Sequence, residues 1–377
     1  MSAQGTTHEA FDAVRDLFDD ALKNEELGAS LAVDVGGERV VDLWGGHRDA
    51  GRTQPWTADT IVNVFSTTKN VTALAVLTLA DRGLIDLDAP VAAYWPDFAA
   101  NGKSGVLVRH VLGHTSGVSG WDQPITATDL YDLPASTARL AAQAPWWEPG
   151  TAPGYHVLTF GHLLGELVRR VDGRSLTDFV ARELAGPLGA DVQIGAREQD
   201  WHRIAPVVPP PPLAFDLAGM DPAGVAVRTF TGPAPDAAVV DTPQWRRAEI
   251  GAANGHANAR GLVDLLRVVT LGGTAGGVRL LSETTIERIF DVQADAPDLV
   301  NGAPVRWGTG FGLTPSPVAP FLPNGRVAWW GGWGGSLAVM DLDRRLTFAY
   351  AMNKMTDGGL IPFHRLARYL TTIYQVL

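Results

Sequence analysis

The chain has no cysteine and only four lysines among its 377 residues, and both scarcities narrow its chemistry. Without thiols, disulfide cross-links, thiolate nucleophiles and Cys-ligated metals are excluded. No apolar stretch approaches the ~20 residues that a bilayer span requires. The opening segment, "MSAQGTTHEAFDAVRDLFDDALK", lacks a basic start and an apolar signal core; it reads as an acidic amphipathic helix, and the expected location is the cytoplasm. Basic residues never run longer than pairs such as Arg169-Arg170, and 30 of them against 41 acidic ones leave a net charge of −11. That balance excludes nucleic acid and anionic membrane as expected partners. Hydrophobic content of 46% and charged content of 19% are those of a globular chain with a sizeable core, and the length predicts two domains or one domain with an insertion.

Strand-like texture gathers at both ends. "GASLAVDVGGERVVDLWGG" reads as two strands around a Gly-Gly turn, with Val33, Val35, Val40 and Leu43 in extended segments. "GRVAWWGGWGG", "SLAVMDLD" and "LTFAYAMN" read as three more, with "DLDRR" as a hairpin turn. Helical patterns fall at 68–83, 156–172, 175–185, 258–271 and 282–291, and a closing helix over 360–377 puts Phe363, Leu366, Leu370 and Ile373 on one side. The proline-rich stretch 207–227 predicts an extended loop bordering a pocket. The expected architecture is α/β (α+β): an antiparallel sheet built from both chain ends and flanked by helices, with a mostly helical insertion. The expected boundaries are 1–75 with 282–377 for the sheet domain and 76–281 for the insertion, the active site lying between them.

"FSTTKN" then asks for an explanation. Ser66 suits a helix N-cap, but Lys69 puts a cation in the first turn, where the helix dipole disfavours it. Val71, Leu74, Ala75, Val76, Leu77 and Leu79 follow with almost no polar face, so the helix is predicted to be buried. Burial and dipole both lower an amine's pKa, and a neutral amine one turn from a serine can take its proton. Tyr155, on the tight loop "EPGTAPGY", is the candidate third member that relays a proton to a leaving group. "WWGGWGGS" offers paired glycines, Gly331 and Gly332, at a strand edge where backbone amides can receive an oxyanion.

In that order, "STTK" at 66–69, "YHV" at 155–157 and "WGG" at 330–332 resemble the three motifs of the serine β-lactamases and penicillin-binding proteins, and most nearly those of the family VIII carboxylesterases. Flanking stretches such as "VRHVLGHTSGV" and "GHLLGELVRRVDGRSLTDFV" extend the resemblance over nearly the whole chain. The resemblance implies Ser66 as nucleophile, Lys69 as its proton partner, Tyr155 as acid/base for the leaving alcohol and the deacylating water, and the amides of Ser66 and Trp333 as the oxyanion hole. Two departures bear on substrate. Val157 stands where related β-lactamases have an Asn that binds a substrate amide, and Trp330 stands where they have a Lys that binds a carboxylate. Trp329, Trp330 and Trp333 suit an uncharged arm instead. The expected activity is therefore hydrolysis of small neutral esters with short acyl chains, through an acyl-enzyme and without cofactor; β-lactam or amide hydrolysis, acyl transfer, and ligand binding without catalysis are the alternatives. The partner is a small-molecule ester, and a homodimer is compatible with the sequence. His110 and His114 have the spacing of a helical metal pair but no Glu between them, so no metal is expected. Gly-x-Ser-x-Gly occurs nowhere, which argues against the α/β-hydrolase fold.

Overall fold

Gly36 and Gly37, at φ 62° and 96°, close the first hairpin in a conformation that side chains resist, and the strands they join open the sheet. A computed structural model describes residues 2–210, 221–356 and 363–377. Its main sheet has nine strands, all pairs antiparallel. In spatial order they are Gln4–Thr7, Glu38–Gly46, Gly28–Val35, Leu346–Met352, Leu337–Asp341, Val327–Gly331, Gly312–Leu313, Pro304–Trp307 and Ala294–Pro297. The two chain ends meet where Leu346–Met352 pairs with Gly28–Val35, as the texture of the termini predicts.

Helices cover both faces. Ala259–Thr270 lies on one: Asn258 caps it by accepting from Gly261 N–H at 2.8 Å, and Arg267 and Arg260 pair with Asp34 and Asp42 of the first hairpin. Thr270 and Thr347 join hydroxyls at 2.8 Å across the same contact. On the other face Phe18 of the Asp12–Asn24 helix and Tyr350 of the sheet both pack on Tyr369 of the His364–Val376 helix. A boundary at 281 would assign Ala259–Thr270 to the insertion, yet its packing is with the sheet; a boundary before Ala259 follows the contacts.

The Thr68–Asp81 helix is buried from Thr68 through Leu79, with no polar face. Each of its Leu and Val side chains contributes about 1.5–3 kcal/mol by burial, and its threonines are satisfied internally, Thr72 on Gly251 O at 2.6 Å and Thr78 on Leu74 O at 2.8 Å. It packs against Thr159–Asp172. There Gly161 approaches so closely that a Cβ would lie 2.3 Å from Ala252 N, which brings the 250–253 backbone up to the head of the buried helix.

Three expectations change. Residues 4–7 are a strand, not helix: Gly5, at φ 98°, sits where a Cβ would be 1.9 Å from Asp42 O, and the helix begins only at Asp12. The 156–172 pattern becomes helical at Thr159, and 175–185 is completed through a π-helical segment, Val180–Ala185. Of the expected loop 207–227, residues 211–220 lie outside the described residues, and Val225–Phe230 is a helix. The first residues of the closing pattern, 360–362, likewise lie outside; from His364 it is helical, with Phe363, Leu366, Leu370 and Ile373 buried.

Candidate active site

The head of the Thr68–Asp81 helix is fixed by an unusual turn. Phe65 has φ 45°, a left-handed conformation that an aromatic residue adopts only when its surroundings impose it. Here Thr68 Oγ1 donates to Phe65 O at 2.5 Å and accepts from Gly255 N–H at 2.8 Å, while Val64 N–H donates to Gly255 O at 2.8 Å. Ser66 follows in the turn. The helix cap is Thr67, and it makes no side-chain capping bond, so the Ser66 hydroxyl has no capping duty.

Lys69 is 1% exposed. Its Nζ lies 3.0 Å from Ser66 Oγ, 2.8 Å from Val157 O and 3.0 Å from Ala252 O, with the Tyr155 ring centroid 4.7 Å away. No carboxylate among the described residues offsets the desolvation, which drives its pKa well below that of an ordinary lysine. A neutral amine has two hydrogens and one lone pair. Two carbonyls can only accept, so they hold both hydrogens and the lone pair is left facing the serine hydroxyl.

Tyr155 is buried and anchored through its backbone. Its N–H donates to Asp298 Oδ1 at 3.0 Å, an oxygen that also accepts from Val300 and Asn301 N–H. His114 packs beside the ring at 5.0 Å and its Nδ1 accepts from His156 N–H at 3.0 Å, while Trp307 stacks on the phenol at 5.9 Å. The hydroxyl accepts from Trp330 Nε1–H at 3.1 Å. Burial raises the phenol's pKa, and hydrogen bonds with Ser66 and Trp330 only partly oppose it, so the group is neutral at physiological pH.

Ser66 and Trp333 carry the expected oxyanion-hole amides. Among the described residues neither N–H has a hydrogen-bond partner. The two segments are tied together by Ser336, whose Oγ donates to Val64 O at 2.8 Å and meets Thr67 Oγ1 at 2.8 Å, and whose carbonyl accepts from Gly332 N–H at 2.8 Å. This corrects the reading of the glycines. A Cβ on Gly332 would stand 2.2 Å from Val64 O, so that glycine serves the docking of the helix head and does not line the pocket; Gly331 lines it. Trp329, expected in the pocket, is buried on the opposite face of the strand against Phe363, as strand alternation dictates. Trp330 and Trp333 do line it.

The cavity in front of Ser66 is mainly apolar, walled by Trp121, Leu130, Leu158, Phe230, Val239 and Trp245, and by the side chain of Val157. Among its described lining residues there is no Lys, Arg or His; Asp236 is the one charged residue there. These walls escaped the sequence reading, as did Asp298 and the second use of Val157, whose carbonyl holds Lys69. No spacing marks them; tertiary packing brings them together. His110 and His114 do not converge: His110 Nδ1 accepts from Leu107 N–H, while His114 lies under Tyr155.

A β-lactamase family model matches residues 14–370. An esterase/β-lactamase of Mycobacterium tuberculosis, LipL, is 36% identical over 360 residues, covering 90% of this chain and 82% of its own. A solved family VIII carboxylesterase superposes with TM-score 0.93 at 39% identity over the full length of both chains. A penicillin-binding-protein homologue from Caulobacter crescentus gives TM-score 0.93 at 36% identity, also over both full lengths.

Proposed function

Since the chain belongs to the β-lactamase family, we propose that it is a serine carboxylesterase that hydrolyses small neutral esters through an acyl-enzyme on Ser66. The observation that carries this is the uncharged environment of Lys69, with two carbonyls holding its hydrogens and its remaining contact on Ser66 Oγ. Relatives named as esterases support the reaction class.

Ser66 Oγ attacks the ester carbonyl carbon as its proton passes to Lys69. The developing oxyanion accepts from the N–H groups of Ser66 and Trp333, an arrangement worth about 2.7–4 kcal/mol per donor in comparable sites. The C–O bond then breaks, and the leaving alkoxide takes a proton through the Lys69–Tyr155 pair. Water reverses the sequence, giving its proton to the same pair, attacking the acyl carbon and releasing Ser66. We assign these transfers to the pair jointly.

The mainly apolar cavity, with no cationic side chain among its described lining residues and with Trp330 in the position of a lysine, favours a neutral ester over an anionic β-lactam. The double name of LipL keeps β-lactam hydrolysis as the second reading. Steady-state turnover of p-nitrophenyl acetate and butyrate against nitrocefin separates the two. We expect ester kcat/KM to exceed the β-lactam value by orders of magnitude, and comparable values reject the substrate assignment. A fluorophosphonate probe should label Ser66 in the folded protein; absence of label there rejects the nucleophile.

A further inference from the structure

Besides Asp236 and Asn301, two hydroxyls outside the Ser66–Tyr155 centre interrupt the apolar wall of the cavity. Ser119 and Thr229 are 1% and 4% exposed, both line the cavity, and their oxygens meet at 2.7 Å. Trp121 stands two residues beyond the first and Phe230 follows the second, so the pair sits between aromatic walls. Two hydroxyls bring two hydrogens, and their mutual bond uses one. Neither oxygen has another partner among the described residues, and Thr229 does not bond back to a carbonyl of its own helix as Thr231 does to Val227 O. One donor is therefore left over in an enclosed apolar space. A buried donor without an acceptor costs free energy, and a water there would want two to four polar partners.

We infer that the Ser119–Thr229 pair is a specificity element of the cavity, and that the preferred ester carries a hydrogen-bond acceptor, a ketone or ether oxygen, on the arm that fills this chamber. This rests on the esterase reading above. The acceptor can belong to the acyl or to the alcohol arm, and paired substrates distinguish them. For the acyl arm the pair is p-nitrophenyl 4-oxopentanoate and p-nitrophenyl 4-methylenepentanoate, in which CH2 replaces the ketone oxygen. For the alcohol arm it is 4-acetylphenyl acetate and 4-isopropenylphenyl acetate.

The readout is the kcat/KM ratio within each pair, measured in the wild type, Thr229→Val, Thr229→Ser and Ser119→Ala. Comparing one ratio across variants cancels intrinsic leaving-group reactivity. In one pair the relative advantage of the ketone ester should fall about fivefold to tenfold in Thr229→Val and in Ser119→Ala, and Thr229→Ser, which keeps the hydroxyl, should retain it. Ratios that stay constant across all variants in both pairs overturn the inference while leaving the esterase reading intact. Absence of turnover of every ester by the wild type, with Ser66 unlabelled by a fluorophosphonate, overturns both. Ser119→Ala, the smaller change, carries the test if Thr229→Val fails to fold.

Discussion

Among the buried ionisable side chains, Glu26 and Lys69 are of opposite charge, and the fold treats them differently. Glu26, 3% exposed beneath the C-terminal helix, is desolvated and its pKa is raised by burial, but Arg365 Nη1 approaches its Oε1 to 2.5 Å and pulls the other way. Lys69 is equally buried and, among the described residues, receives no acid, only carbonyls and a serine hydroxyl. Arg365 opposes the shift on the first; nothing among the described residues opposes it on the second. A buried charge with its partner explains itself as architecture. Lys103 is buried on carbonyls too, those of Ala100 and Gln143, with Asp122 partly opposing its pKa shift; what sets Lys69 apart is the Ser66 hydroxyl against its nitrogen.

Several measurements can break that contrast. The largest effect is expected from Lys69→Met, which removes the amine at similar length, whereas arginine would bury a permanent charge. Its kcat/KM should fall ~10³-fold or more, with little change in thermal midpoint, because the lost desolvation burden offsets two carbonyls left without donors. Retained turnover would make Lys69 merely structural. Glu26→Gln should do the opposite. It removes the nearer of Arg365's two carboxylates, leaving Glu25 at 3.9 Å, and should cost about 1–3 kcal/mol of stability, read as a lower denaturation midpoint, while turnover per folded molecule stays at the wild-type value. Reduced turnover in a fully folded Glu26→Gln sample would end the division between architectural and reactive burial.

The effect least specific to either side chain is a pH slope shared by the whole molecule. Burial holds the buried His156 and His256 at about 4 and His114 well below its ordinary value of 6.5. Below about pH 6.5 the unfolded chain therefore binds more protons than the folded one, so stability is lost as pH falls from 6.5 toward 4, by about 1–2 kcal/mol for each such histidine at pH 5. Thermal melts at pH 7 and pH 5 should show the drop in wild type and a drop at least as large in Glu26→Gln, which lacks the raised carboxyl that gains stability by taking up a proton on acidification. A midpoint that rises on acidification would contradict the neutral packing of these rings.

The contrast was half visible in the sequence. Lys69 stood out because a cation at the start of an apolar helix violates both dipole and solvation preferences, and such conflicts are local. The three motifs and the terminal hairpins were legible for the same reason: each depends on a few adjacent residues. The Gln4–Thr7 strand was not, since its pairing is dictated by Gly5 nestling against Asp42 O across nearly 40 positions. The cavity walls at Trp121, Leu158, Phe230 and Trp245 come from four segments with no common period. Trp330 was read as an apolar replacement for a cation, which missed its N–H; that donor reaches Tyr155 only once strand and loop are in place. Asp298 went unread because its partner is a backbone amide 143 residues away.

The carbonyls that grip Lys69 belong to residues 88 and 183 positions further along the chain. A nascent or partly assembled polypeptide lacks both, and its lysine is then an ordinary hydrated ammonium beside an inert alcohol. The environment that lowers this lysine's pKa thus depends on both distant contacts being in place, and a chain that lacks either keeps an ordinary amine beside Ser66.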